Sequence, residues 1–356
     1  MENVQTNSVP EEEKQYSSVR YAVGAILAFF GFSSKTHRAS KHRSKLVADI
    51  VTYIVLLLGG FLMVYPFWWM IASSFANTSD PTLSGQVATM IWWPKNALPG
   101  TAQDGRELSL FYNYHILFTE GMRGLPGASN GFTQGYSYWR AVLNNLIYSI
   151  VPVVVGVVTS AAAAFSFAKI EWIGRNVVFM ILLAAIMVPG PSIMTTQYVM
   201  YVSFGWLAGI GYPNAWMTLT IPGMFGAIMT AFFIRQFLFG LPTSIVEAAK
   251  IDGAGYFRIF CSFIMPLAMP AIVAQGLLSF MGCWNNYMAS YIFIQSNSPW
   301  INLPHAMWLM ETNTSFDVNQ GPILAAAVMC VLPVIILFAI FQRMIIGSLM
   351  LTGSKE

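Results

Sequence analysis

The chain has 356 residues, of which 56% are hydrophobic and only 9% charged, with a formal net charge of +3. A soluble domain carries roughly 25% charged residues, so this composition excludes an ordinary water-soluble fold. The apolar residues also run together instead of recurring at strand or amphipathic-helix spacing, and the fold class expected is all-α integral membrane.

The amino-terminal segment opens with Glu11, Glu12, Glu13 and Lys14, not with a basic stretch running into an apolar core, so no cleaved signal peptide is expected. Residues 21–32 form an apolar stretch of only a dozen residues, the length of an interfacial helix and not of a span. Lys35, Arg38, Lys41, Arg43 and Lys45 follow it. A basic cluster just before a span orients the chain and meets anionic lipid headgroups, so membrane lipid is the expected partner and nucleic acid is not.

Six stretches then have the length of a transmembrane helix: 47–72, 141–167, 175–195, 217–239, 266–294 and 322–345. Cytoplasmic termini place every Lys and Arg on the inner side except Lys95, Arg106, Arg123 and Arg140, which sit in or beside one long outer loop where the charge rule is weak. That loop, 73–140, is rich in Gly, Pro, Asn, Tyr and Trp, a composition of turns and aromatic surface, and is expected to form a small outer cap. Trp92 and Trp93 in it suit an interfacial anchor, and the small residues from Ser160 to Ala164 suit close helix packing. Residues 1–46 thus form a cytoplasmic extension, 47–350 a six-helix domain and 351–356 a tail.

Cys261, Cys283 and Cys330 lie in or near apolar segments and are expected as core thiols. None of the four histidines stands at metal-ligand spacing from Cys, Asp or Glu, so no metal site is expected. There is no phosphate-binding Gly-rich Lys motif, and no catalytic residue is expected.

The polar exception is the loop at 240–265. Ser244 followed by Glu247 is a capping-box pattern that predicts a helix starting just after Pro242. Gly253, Ala254 and Gly255 predict its end, because glycine adopts the left-handed backbone that closes a helix, and a second helix from Tyr256 leads to Pro266. Ala248 and Ala249 permit close approach by another surface, flanked by Glu247, Lys250 and Asp252.

Glu247-Ala248-Ala249, then Gly253, Arg258 and Pro266 at their present distances, resemble the cytoplasmic coupling loop of binding-protein-dependent ABC importer permeases. The resemblance covers about residues 47–354 and is to the carbohydrate branch represented by the smaller maltose permease subunit. Pro94-Lys95 followed by Asn113-Tyr114-His115-Ile116-Leu117-Phe118 resembles that branch's first outer loop. Ala164-Phe165-Ser166-Phe167-Ala168-Lys169, Trp284-Asn285-Asn286-Tyr287 and Phe341-Gln342-Arg343-Met344 are similar to further family positions. The amino-terminal 46 residues and 124–134 exceed the simplest members.

The resemblance implies a permease subunit of the bacterial inner membrane. It implies a second homologous permease, two cytoplasmic ATPase subunits and an extracellular solute-binding protein as partners. No cofactor is implied on this chain; ATP and Mg belong to the ATPase. Glu247, Ala248, Ala249, Asp252, Gly253, Gly255, Arg258 and Pro266 would carry the coupling.

Polar side chains inside a span usually face a bundle interior or an aqueous cavity. Trp284, Asn285, Asn286 and Tyr287 combine aromatic rings with amides, a chemistry suited to sugars. They are the candidate solute path, with Asn144 and Asn145 as weaker candidates; helix-to-helix glue is the competing role for such amides. An ion-coupled secondary transporter or channel is the alternative function. It needs membrane-embedded carboxylates, and apart from Asp49 near the inner end of the first span the spans hold none.

Overall fold

The structure is a computed structural model that describes residues 39–77, 92–94, 97–101, 107–119, 138–208, 213–296, 298–312 and 320–353; the side chains of 39–47 and 343–353 are outside that description. The interfacial segment expected at 21–32 and the insertion at 124–134 lie outside the described residues. The chain divides at Trp68 into two units, Met1–Trp68 and Trp69–Glu356.

Helix α1, Ala39–Ser73, supplies the described part of the first unit and continues past Trp68 into the second. Its stretch Ala48–Ser73 can cross a membrane by length and composition. Pro66 sits inside it, as prolines do in membrane helices, where neighbours can satisfy the freed carbonyl.

The second unit holds the remaining spans. Tyr138–Lys169 (α3), Trp216–Phe239 and Gln320–Gln342 each meet the length and hydropathy of a span, and two bent pairs reach it together, so the described residues hold four crossing helices, or six if each pair is one span. This makes the chain a multi-pass membrane protein.

The expected span at 175–195 is one of the bent pairs. It consists of α4, Arg175–Ile186, and α5, Gly190–Ser203, turned by 97°. Pro189 is extended at ψ 129 and Pro191 follows at the start of α5; proline lacks the N–H that a continuing helix needs and pushes the residue before it out of the α region. The crossing stretch Trp216–Phe239 is α6, Trp216–Met224, and α7, Ile228–Phe239, separated at Gly226 with φ +88.

Past the loop come α8, Ser244–Ile251, and α9, Tyr256–Ile259. A π turn, Phe260–Ile264, leads to α10, Met265–Leu267, and then α11, Met269–Trp284. The wider turn precedes Pro266, which has no N–H for the ladder, and the Met265 N–H reaches back to the Phe260 carbonyl. The expected single helix at 266–294 is instead α11 and a separate α12, Tyr287–Phe293, because the Asn286 Oδ1 accepts from the Ala289 N–H at 3.2 Å and caps a new helix. Helices α13, Leu303–Thr312, and α14, Gln320–Gly353, complete the chain.

Helix α3 is the axis of this unit and packs against α6, α7 and α11. It meets α6 backbone to backbone: a Cβ on Gly156 would collide with the Gly223 carbonyl, and one on Gly223 would lie 2.7 Å from Pro152 Cβ. Small residues let membrane helices approach in this way. Ser160, 2% exposed, accepts from the Ala227 N–H at 3.0 Å, so the small-residue run expected to pack does so, and it repairs the break at Gly226 as well.

Two apolar cores lie along α3. One gathers Tyr138, Tyr148, Phe280, Trp284, Phe293 and Ile301; the other gathers Ala161, Phe165, Ile234, Val246, Ala249 and Ile259. The described part of 73–140 forms a small cap. A two-stranded antiparallel pair, Gly100–Thr101 (β1) and Glu107–Leu108 (β2), precedes α2, Tyr112–Thr119. Buried Asn113 donates to the Ser74 and Ala76 carbonyls at 2.8 and 2.9 Å, closing the end of α1 on α2.

Candidate coupling loop and solute recess

Thr243 already turns in the α sense, so α8 starts one residue earlier than a capping box at Ser244 requires. Thr243 is the N-cap, at φ −67, and its carbonyl accepts from Val246 and Glu247 at 2.9 and 3.1 Å; no side chain caps the end. The helix closes at the expected glycine. Gly253 has φ +77, its N–H donates to the Lys250 carbonyl at 2.9 Å, and the Ala254 N–H reaches the Ala249 carbonyl at 2.9 Å, the paired bonds of a left-handed helix stop. Gly255 is extended, at ψ 158, and starts α9.

The two alanines part company. Ala249, 4% exposed, packs with Val246 and Ile259 into the chain's own core, whereas Ala248 faces outward with Glu247, Asp252, Gly253, Gly255, Arg258 and Pro266. Ile251 and Phe257, which motif spacing does not single out, are 86% and 81% exposed. Lys250 lies over the Tyr256 ring at 4.7 Å and braces the bend.

The loop is tied to α3 from both sides. Lys169, the last residue of α3, donates through Nζ to the Leu241 carbonyl at 2.6 Å, one residue before Pro242. Arg235 on α7 donates from Nε to the Phe167 carbonyl at 3.2 Å while its guanidinium rests on the Phe179 and Phe239 rings at 3.9 and 4.4 Å.

At the other end of α3 the candidate path residues separate into two groups. Trp284 is 1% exposed, stacks on Phe280 and donates to the Cys330 carbonyl at 2.7 Å. Asn144 donates to the Pro299 and Ile301 carbonyls at 2.8 and 2.9 Å, and Asn145 to the Trp284 carbonyl at 3.2 Å. These three join distant segments.

Asn285, Asn286 and Tyr287 face open space instead. Asn286 lines a recess of about 240 Å³ with Thr230, Ser279 and Cys283, beside the Gly156 and Gly223 crossing. Asn285 and Tyr287 line a different one of about 230 Å³ with Trp308, Glu311, Met307 and Cys330. Trp308 and Glu311 come from α13, some twenty residues downstream, where the sequence shows no span to draw attention to them.

Behind that second recess His305, 0% exposed, is held by Ser290 Oγ at Nδ1, 3.1 Å away, and by Ser296 Oγ at Nε2, 3.5 Å away. Its backbone N–H donates to Asn302 Oδ1, and Asn302 Nδ2 donates to the Asn286 carbonyl at 2.8 Å. Burial lowers the imidazole's pKa from 6.5 to about 4, so the ring is neutral at ordinary pH. No group of three or more His, Cys, Asp and Glu side chains among the described residues is placed to hold a metal ion.

Comparison with known proteins fits this arrangement. The family described as the binding-protein-dependent transport system inner membrane component matches residues 127–349. The chain is 30% identical to the arabinooligosaccharides transport system permease protein of Halalkalibacterium halodurans, over 63% of this chain and 77% of the relative. It is 25% identical to a diacetylchitobiose uptake system permease protein of Streptomyces coelicolor, over 84% and 86% of the two chains. It is 28% identical to the trehalose transport system permease protein of Mycobacterium tuberculosis, over 62% and 78%. The structure of a bacterial ABC transporter involved in the import of the acidic polysaccharide alginate shares the fold, with a TM-score of 0.61 and 18% identity over 87% of this chain and 99% of that one. With its membrane helices and the Glu247 to Pro266 loop, the chain belongs to the family of binding-protein-dependent transport system inner membrane components.

Proposed function

We propose that this chain is one of two permease subunits of an ATP-driven importer for a sugar or oligosaccharide, working by alternating access. The observation that carries the reading is the loop from Thr243 to Pro266. Its exposed face of Glu247, Ala248, Ile251, Asp252 and Phe257 has the chemistry of a docking surface, while its buried face is part of the chain's core. The loop is the coupling helix between the fourth and fifth of six spans. Closure of two cytoplasmic ATPase subunits, which bind ATP and Mg, pushes it, and Lys169 and Arg235 hand that displacement to α3.

This chain itself hydrolyses nothing and binds no cofactor. The carbohydrate relatives support a sugar as solute, delivered by an extracellular binding protein. Asn285, Asn286 and Tyr287 lie along the path, and Trp284, Asn144 and Asn145 hold its walls. A second, homologous permease completes the path; the apolar recess of about 750 Å³ lined by Phe233, Phe237, Leu278 and Phe338 is the kind of face such a subunit covers. Both termini are cytoplasmic in the inner membrane of a bacterium, with 1–46 as an extension, 47–350 as the permease domain and 351–356 as a tail.

The test is purification of the tagged chain in mild detergent, with mass spectrometry of what accompanies it. A nucleotide-binding ATPase and a second permease are expected; a chain that purifies with neither, and transports without ATP, overturns the reading in favour of a secondary transporter.

A further inference from the structure

Four side chains converge on the 230 Å³ recess from two elements that sequence reading does not connect. Asn285 and Tyr287 come from the break between α11 and α12; Trp308 and Glu311 come from α13, one helical turn apart and on the same face. The rings form a built surface. Tyr287 and Trp308 have centroids 5.9 Å apart, Tyr291 joins them at 5.5 and 5.0 Å, and the buried network at His305 fixes the helices that carry them.

Aromatic faces pack on the C–H surface of a pyranose ring, and an amide and a carboxylate bond its hydroxyls. At about 230 Å³ the space is smaller than the roughly 300 Å³ at which pockets for drug-sized ligands begin, so it takes one ring of a longer solute. Among the described residues Glu311 is the charged member of the lining, which includes no Lys or Arg.

We propose that this recess is a saccharide-ring subsite on the outer side, and that Glu311 makes it select neutral or cationic rings against uronates. This rests on the importer reading and adds a charge rule to it. An acidic ring seated there would bring a second carboxylate beside exposed Glu311, inside the roughly 8 Å over which physiological salt screens charge, whereas a neutral ring gains an acceptor for its hydroxyls. The chain would therefore exclude acidic polysaccharides, the class of solute imported by the alginate transporter that shares its fold.

The test needs no knowledge of the natural solute. In intact cells holding the whole complex, Asn285→Cys is exposed to two membrane-impermeant methanethiosulfonates, one ending in trimethylammonium and one in sulfonate. Modification is read peptide by peptide, so the native cysteines stay in place, and each rate is divided by that with 2-mercaptoethanol. The cationic reagent is expected to react about tenfold faster. Glu311→Gln should bring the ratio to about one and Glu311→Lys should invert it. Cys330, already in the wall, gives the same comparison without a substitution at Asn285, and exposed Cys261 on the opposite side should stay unmodified.

Trehalose, arabinotriose and diacetylchitobiose are then offered as protectants alongside trigalacturonate, and slowing by a neutral sugar but not by the uronate is expected. A ratio near one with Glu311 present overturns the charge rule. Failure of both thiols to react while a Phe111→Cys variant in the exposed outer cap reacts overturns outward access. Protection by the uronate alone, or by none of the four, overturns the saccharide subsite. None of these results touches the importer reading, which falls only if no ATPase accompanies the chain.

Discussion

The two ends of α3 handle polar groups in opposite ways. Around Lys169 the chain offers polar groups outward: a short helix buries Val246 and Ala249 in the core but leaves its acidic side chains, Ile251 and Phe257 exposed, and the side-chain bonds there are single ones such as that to the Leu241 carbonyl. Around Asn144 it turns them inward, and Asn144, Asn145, Asn302, His305 and Ser290 are each no more than 4% exposed and hydrogen-bonded to other segments, Asn145 through its Nδ2 alone. Amides and charges at similar depth in the sequence thus do different work. On the importer reading proposed above, the end that a partner pushes keeps few polar ties and the end that keeps a path in shape has many.

The sharpest way to break the contrast is at Gly253. Its φ of +77 is strained for any side chain, although a Cβ there would meet nothing within 4 Å. Gly253→Val should therefore insert and assemble normally while solute-stimulated ATP hydrolysis of the reconstituted complex falls at least tenfold; unchanged coupling would remove the loop from the mechanism.

The opposite end should respond to acid instead. The folded pKa of His305 lies near 4, below the 6.5 of the free side chain, so its contribution is whole above pH 6.5, declines as pH falls from there toward 4, and is lost below. That difference corresponds to about 3 kcal/mol. Thermal unfolding of the purified protein at pH 7 and pH 4.5 should show a larger drop for the wild type than for His305→Gln, whereas ATPase coupling at neutral pH should not distinguish them.

Smaller effects grade the ties on each side. Asn144→Ala leaves the Pro299 and Ile301 carbonyls without their donor and should lower stability by about 2 kcal/mol, seen as a reduced melting temperature. Lys169→Met removes one hydrogen bond on a partly exposed side chain, so its stability cost should be about 1 kcal/mol or less, but stimulated ATPase should fall with it and return with Lys169→Arg. Equal losses of stability from the two changes would erase the proposed difference between the ends.

What could be read in the sequence follows the range of the forces involved. The bend at Gly253 and the helix before it were legible because proline and glycine act within one or two turns, although the N-cap is Thr243 and not the Ser244 that the capping-box pattern marks. The ties at Asn144 and Asn145 were not, since their partners lie 139 to 157 residues away and an asparagine carries no mark of which carbonyl it will meet. Asn285 and Asn286, adjacent in sequence, face different recesses because the helix breaks between Trp284 and Tyr287. Pro189 and Pro191 did signal the 97° turn, but hydropathy ran unbroken through it and masked the signal.

The backbone contact of Gly156 with Gly223 has a mechanical consequence. It lies near the middle of α3: at the rise of an α-helix, Asn144 is about 18 Å from it along the axis in one direction and Lys169 about 20 Å in the other. A rigid tilt about that crossing is a see-saw with nearly equal arms, so an ångström of push at the Lys169 end arrives as close to an ångström of swing, reversed in direction, at the other.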